Sequence, residues 1–185
     1  MTQILPAAGT LLIADPFLKD PNFMRTVVFL CEHQEEGSFG FVLNRLYDFT
    51  LDQLMASAEG MPLPVYYGGP VQVDTIHFLH QYPELIPDGF EVADGIYWGG
   101  DFETAVQLLK DNEISPQGIR FFIGYSGWSE GQLLSELKEK SWIASTGNQR
   151  LVFEIDRDAI WKEALKDLGG EYEQLVNYPI DPQLN

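Results

Sequence analysis

The chain has 185 residues, with 28 Asp and Glu against 11 Lys and Arg, giving a formal net charge of −17. Hydrophobic residues at 45% and aromatics at 13% supply the core of one domain and exclude a disordered chain. The acidity argues against nucleic acid and anionic membrane as partners, because the eleven cations are dispersed along the sequence and residues 46–109 hold ten Asp or Glu with no Lys or Arg.

Taken in chain order, residues 9–14 (Gly-Thr-Leu-Leu-Ile-Ala) read as a strand closed by Asp15-Pro16. Asp20-Pro21 is a helix-start pair, and the helix is short because residues 25–33 run apolar and rich in β-formers. A turn at 34–37 returns the chain as strand 39–44, so a hairpin is expected. Thr50 with Gln53 makes a capping box for a helix through about Ala58. Residues 65–67, 74–80, 89–93 and 96–98 are strand candidates, the last two joined by the hairpin pair Asp94-Gly95. Gly68-Gly69-Pro70 and Gly99-Gly100 end strands, and Asp101 caps a helix whose face is Ala105, Leu108 and Leu109. Residues 119–125 alternate as a strand. Ser129 with Gln132 suggests a second capping box before Leu133, Leu134 and Leu137. Residues 151–155 read as a strand, and Asp158 starts the clearest helix, with Ile160, Trp161, Ala164, Leu165 and Leu168 on one face and Gly169 as its stop. The tail from Tyr178 to Asn185 is extended, either docked or loose. Strands and helices mix without strict βαβ alternation. The expectation is one α+β domain over residues 1–185, built on a mixed sheet covered by helices.

Cys31 is the only cysteine, which excludes an intrachain disulfide. The N-terminal residues lack the basic and apolar regions of a signal peptide, and no uncharged apolar run approaches the ~20 residues of a spanning helix. A cytoplasmic protein is the expectation.

Several runs together resemble the YqgE/AlgH family of bacterial proteins: residues 9–14, Asp20-x-x-Phe23-x-Arg25-Thr26-Val27-Val28, Cys31-Glu-His33 and Gly40-x-Val42-Leu43-Asn44-Arg45. Gly68-Gly69-Pro70-Val71, Leu79-His80, Gly99-Gly100-Asp101, Gly124-Tyr-Ser-Gly-Trp128-x-x-Gly131-Gln132-Leu133, Trp161 and Asp181-Pro-x-Leu-Asn185 complete the match. The resemblance implies an α+β fold on a bifurcated, barrel-like mixed sheet with helices around it. It implies no defined reaction, and it brings a transcriptional-regulator label through alginate control. Ser126 departs from the Ala more frequent in the family, which counts against a catalytic role for its hydroxyl.

Three places can carry chemistry. Gly124-Tyr-Ser-Gly-Trp128 is expected between a strand and a helix N-terminus, where Gly124, Ser126, Gly127 and Trp128 would offer backbone N–H groups to an anion. It lacks the Gly-Lys-Ser/Thr end of a Walker A loop and the fifth glycine of a Gly-x-Ser-x-Gly elbow, and a plain tight turn with Trp128 packed over the helix start explains the same residues. Arg25, Asn44 and Arg45 lie at matching ends of the first hairpin, so two guanidiniums would suit a carboxylate or phosphate; pairing with Glu32 or Asp48 is the competing account. Cys31 and His33, two apart on a strand, would face one side with Cβ atoms roughly 6–7 Å apart, making a candidate reactive thiol against a plain buried cysteine. His77 and His80, three apart, should point to opposite faces, and no ligand-like spacing calls for a metal or other cofactor. The aromatics Tyr66, Tyr67, Tyr97, Trp98, Phe121, Phe122 and Trp128 lack the interleaved cations of a single-strand binding platform, which leaves core packing as their account. The leading expectation is a non-enzymatic binding or regulatory protein acting through a protein partner or a small anionic ligand. The alternatives are an enzyme or redox sensor at Cys31 and a DNA-binding regulator, the last disfavoured by the charge.

Overall fold

Two apolar runs near the N-terminus form adjacent interior strands of the sheet. β1 (Thr10–Ala14) is buried along its whole length and β2 (Val27–Gln34) along its first five residues. Leu11, Ile13, Val27 and Phe29 face one layer of the core while Leu12, Ala14, Val28 and Leu30 face another, so the unbroken apolar pattern reports burial on both faces. A computed structural model describes residues 4–179. The remaining strands among them are β3 (Gly37–Val42), β4 (Val65–Tyr67), β5 (Val71–His80), β6 (Phe90–Ala93), β7 (Ile96–Trp98), β8 (Ile119–Ser129) and β9 (Trp142–Thr146).

The strand order is β6-β7-β5-β8-β3-β2-β1-β9, antiparallel throughout, with β4 added parallel to β8. The sheet divides at β8. Its first part lies between β4 and β5, and residues beyond Tyr125 pair with β3 instead. This is the forked, curled half-barrel that the family resemblance implies, in the α+β arrangement that the sequence pattern leads one to expect. Three layers cover it. α4 (Ile160–Leu168) and α5 (Glu171–Leu175) close one face over Phe29, Phe41 and Phe122, and Trp161 Nε1 donates to the Ala14 carbonyl at 2.9 Å. α3 (Gln132–Lys138) covers the opposite face of β1–β3, and α1 (Leu51–Leu54) with α2 (Phe102–Lys110) covers β5 and the first part of β8. Among the described residues no helix is long and apolar enough to cross a membrane.

Several local expectations are corrected. Asp20-Pro21 opens only a turn, with Phe23 N and Met24 N both donating to Asp20 O, because Arg25 at φ 56 leaves the helical region. The Thr50–Gln53 capping box is present, but α1 stops at Leu54 and a separate 3₁₀ turn spans Ala56–Ala58. Ser129 caps nothing: β8 runs through it, Gly131 at φ 73 is the N-cap of α3, and Gln132 reaches back to Ser129 N at 3.0 Å. Residues 151–155 are not a strand. Arg150–Glu154 forms one wide π-type turn, with Leu151 N donating to the Asn148 side chain at 2.9 Å. Leu151, Val152 and Phe153 are all buried, and an apolar run buried all round carries no period that separates helix from strand. β9 and α5 were not anticipated. Of the C-terminal tail, residues 180–185 lie outside the described residues.

Candidate functional site

The sequence-predicted residues fall in three separate places. Arg25, Asn44 and Arg45 converge. Asn44 ties the two chain segments together: its Oδ1 accepts from Val27 N at 3.0 Å and its Nδ2 donates to Arg25 O at 2.9 Å. That clamp holds Arg25 in the left-handed region, which a residue with a Cβ occupies at a cost of about 1–3 kcal/mol. From there its guanidinium lies over the Trp161 ring, 4.4 Å from the centroid, and donates to Tyr178 O at 2.6 Å. Arg45 donates to Met24 O at 2.7 Å. Partial burial lowers the Arg25 pKa, yet a guanidinium stays charged at neutral pH.

These residues form one wall of a groove of about 540 Å³, and Arg157, Trp161 and Lys162 from the start of α4 form the other. Among the described residues four cations line it against one carboxylate, Asp158, a net +3 in a chain of −17. Neither Arg25 nor Arg45 has a carboxylate within 4.0 Å among the described residues, so the expected competing pairs with Glu32 and Asp48 do not form. Arg157 approaches only its exposed neighbour Asp158, at 3.7 Å. Elsewhere Arg150 and Lys166 are engaged by Asp167 and Glu163. Arg157 and Lys162 escape a sequence reading because the helix pattern draws attention to its apolar face. Their signal is a pair of cations flanking Trp161.

The Gly124–Trp128 segment is elsewhere and is not a loop at a helix start. It is the continuous centre of β8. Gly124 (φ 67) is there because the Gly69 carbonyl passes close by; an added Cβ would lie 2.5 Å from that oxygen. Ser126 is fully buried and its hydroxyl donates to Gly68 O at 3.0 Å. Gly127 pairs with Phe39, and Trp128 is buried with Nε1 donating to Glu136 at 2.9 Å, an acceptor shared with Trp142. α3 spans seven residues and begins three residues past this segment.

Cys31 and His33 do not share a face. A β-bulge leaves Cys31 unpaired between Leu30, opposite Gly40, and Glu32, opposite Phe39. One extra residue inverts the alternation beyond it. Cys31 packs into the core with Phe29 and Phe41, while His33 lies on the other side, its Nδ1 2.6 Å from Ser38 Oγ. Burial first, and the Glu32 charge second, push the thiol pKa well up, the opposite of what an activated nucleophile needs. His77 and His80 do take opposite faces: His77 touches Phe41 and Tyr125, whereas His80 packs on Phe78 and bonds Gly99 O at 2.9 Å.

Comparison with known proteins agrees with this architecture. A family model described as AlgH-like matches residues 11–173. A UPF0301 protein of Chlorobium limicola is 42% identical over 177 residues, covering 96% of this chain and 95% of its own. One from Cytophaga hutchinsonii is 40% identical over 178 residues, covering 96% and 98%. The solution structure of AlgH from Pseudomonas aeruginosa superposes with a TM-score of 0.73 at 26% identity over 97% of this chain and 98% of that one. A crystal structure of a Corynebacterium diphtheriae protein gives 0.77 at 20% identity over 96% and 95%, a likeness of fold. With its forked sheet and its near full-length similarity to these relatives, the chain belongs to the AlgH-like family.

Proposed function

We propose that this protein binds a small multivalent anion, a di- or tricarboxylate or a phosphate ester, in the groove between Arg25–Arg45 and the start of α4. The observation that carries this reading is the gathering of four of eleven cations on one groove of a strongly acidic chain. Its volume lies within the range of small-molecule sites, and its two cationic walls suit a ligand with charge at both ends. The backbone clamp by Asn44 fixes Arg25 before any ligand arrives, which lowers the entropy cost of binding. Four cations on one groove of a strongly acidic chain would neutralise few phosphates of a duplex, so a small anion suits the groove better than DNA.

The test is thermal shift and titration calorimetry at low salt with pyrophosphate and citrate. At least one of the two should raise the melting temperature saturably. The double variant Arg157→Gln/Lys162→Gln, on the exposed wall, should bind at least about tenfold more weakly while folding normally. Absence of saturable binding by both anions, or unchanged affinity in the variant, would refute the reading.

A further inference from the structure

A second groove, of about 610 Å³, lies where β8 passes from β5 to β3, and it shares no lining residue with the cationic one. Its chemistry is the reverse. Phe39, Trp98 and Tyr125 line it as half-buried rings set across one another: Phe39 meets Trp98 at 4.8 Å and 63°, and Tyr125 at 5.8 Å and 73°. Rings set edge to face do not stack flat on one another, so an aromatic surface remains for the groove lining. Glu32 and Glu36 stand at its edge, and no Lys or Arg lines it. His77 closes the inner side, between Trp98 and Tyr125, and its buried Nε2 finds no hydrogen-bond partner among the described residues. Burial lowers the His77 pKa, so the ring adds no competing positive charge at neutral pH.

The bulge at Cys31 bears directly on this groove. Regular pairing of the same sequence would put Glu32 on the face of Leu30; with Cys31 bulged, Glu32 sits across from Phe39 and lines the groove.

We propose that this groove binds a small methylated ammonium cation, held by the faces of Phe39, Trp98 and Tyr125 and neutralised by Glu32 and Glu36. A quaternary ammonium is favoured over a primary one because its methyl skin is poorly hydrated and is matched by ring faces, which attract a cation without a directed hydrogen bond. Anionic ligands are excluded by the two carboxylates. The inference is independent of the anion site.

The experiment follows the Trp98 indole signal by NMR, assigned with Trp98→Phe, during titration with choline, with its uncharged isostere 3,3-dimethyl-1-butanol, and with ethanolamine. Choline should give saturable shifts at Trp98, with millimolar or tighter affinity. The isostere and ethanolamine should bind about tenfold more weakly or not at all, the scale of one desolvated cation–π contact. Glu32→Gln/Glu36→Gln changes side chains at the groove edge without altering core packing, and it should weaken choline by a similar factor while the protein stays folded. Equal binding of the neutral isostere would show a merely apolar groove. Equal binding of ethanolamine, choline binding indifferent to the glutamates, or no saturable shift at Trp98 would each overturn the proposal.

Discussion

At the scale of single residues, His80 shows how burial fixes a protonation state. It is fully buried in β5, and Tyr82 N donates to its Nδ1 at 3.1 Å, so Nε2 carries the hydrogen given to Gly99 O at 2.9 Å. Only the neutral ring satisfies both neighbours. Burial accordingly lowers its pKa below the ordinary 6.5, outweighing the Gly99 bond that acts the other way. The unfolded chain then binds the proton more readily than the folded one. The stabilisation is complete above the ordinary value and is lost as pH falls through the folded one. Urea midpoints should fall between about pH 7 and pH 5.5, and His80→Gln should make that fall shallower while costing about 1–3 kcal/mol at neutral pH. An unchanged pH slope in the variant would contradict this. His77, shifted in the same direction, keeps part of the slope in the variant. The opposite facing of His77 and His80 was legible from their spacing. The Cys31–His33 relation was not, because nothing in Leu30-Cys31-Glu32 marks a bulge that depends on how β3 pairs.

At the scale of elements, short strands with clear stops were readable: β1 before Asp15-Pro16, β4 before Gly68-Gly69, β7 after Asp94-Gly95, and α2 behind Asp101, whose side chain accepts from Thr104 N at 2.9 Å. The forked strand β8 was not, because the same Gly124 serves a loop equally well when its neighbour is unseen. That glycine gives a sharp expectation. Gly124→Ala combines a left-handed φ with a Cβ 2.5 Å from Gly69 O, and should destabilise by about 3 kcal/mol or more. Gly131→Ala has a similar φ of 73 but open space around the new methyl, and should cost only about 1 kcal/mol. Equal effects in urea denaturation would mean that the close crossing is not what demands the glycine. Arg25, Asn44 and Arg45 were legible as a cluster because both ends of one hairpin are local in sequence; α4 joins them from more than a hundred residues away, through the core contacts of Trp161.

At the scale of the whole molecule, a net charge of −17 is a self-repulsion that the fold must outweigh. Added salt screens it over about 10 Å at 0.1 M. Raising sodium chloride from about 10 to 300 mM should therefore raise the melting temperature, and equally in Arg157→Gln/Lys162→Gln, which separates general screening from chloride held in the cationic groove. A flat response in both proteins would show that the carboxylates are too dispersed to strain the fold. The eleven cations that look scattered along the sequence thus have a spatial logic: Arg150 and Lys166 pair with local acids, and four are gathered on one groove.

The strand order also sets a schedule for synthesis. β1 lies between β2 and β9, and Ala14 meets Trp142 only after some 128 further residues have been made. At ~10 residues per second, the first strand keeps one bare edge for about thirteen seconds on the ribosome, with its apolar side chains uncovered by α3 and α4. A nascent chain of this topology is a natural client for a holding chaperone until its C-terminal third emerges.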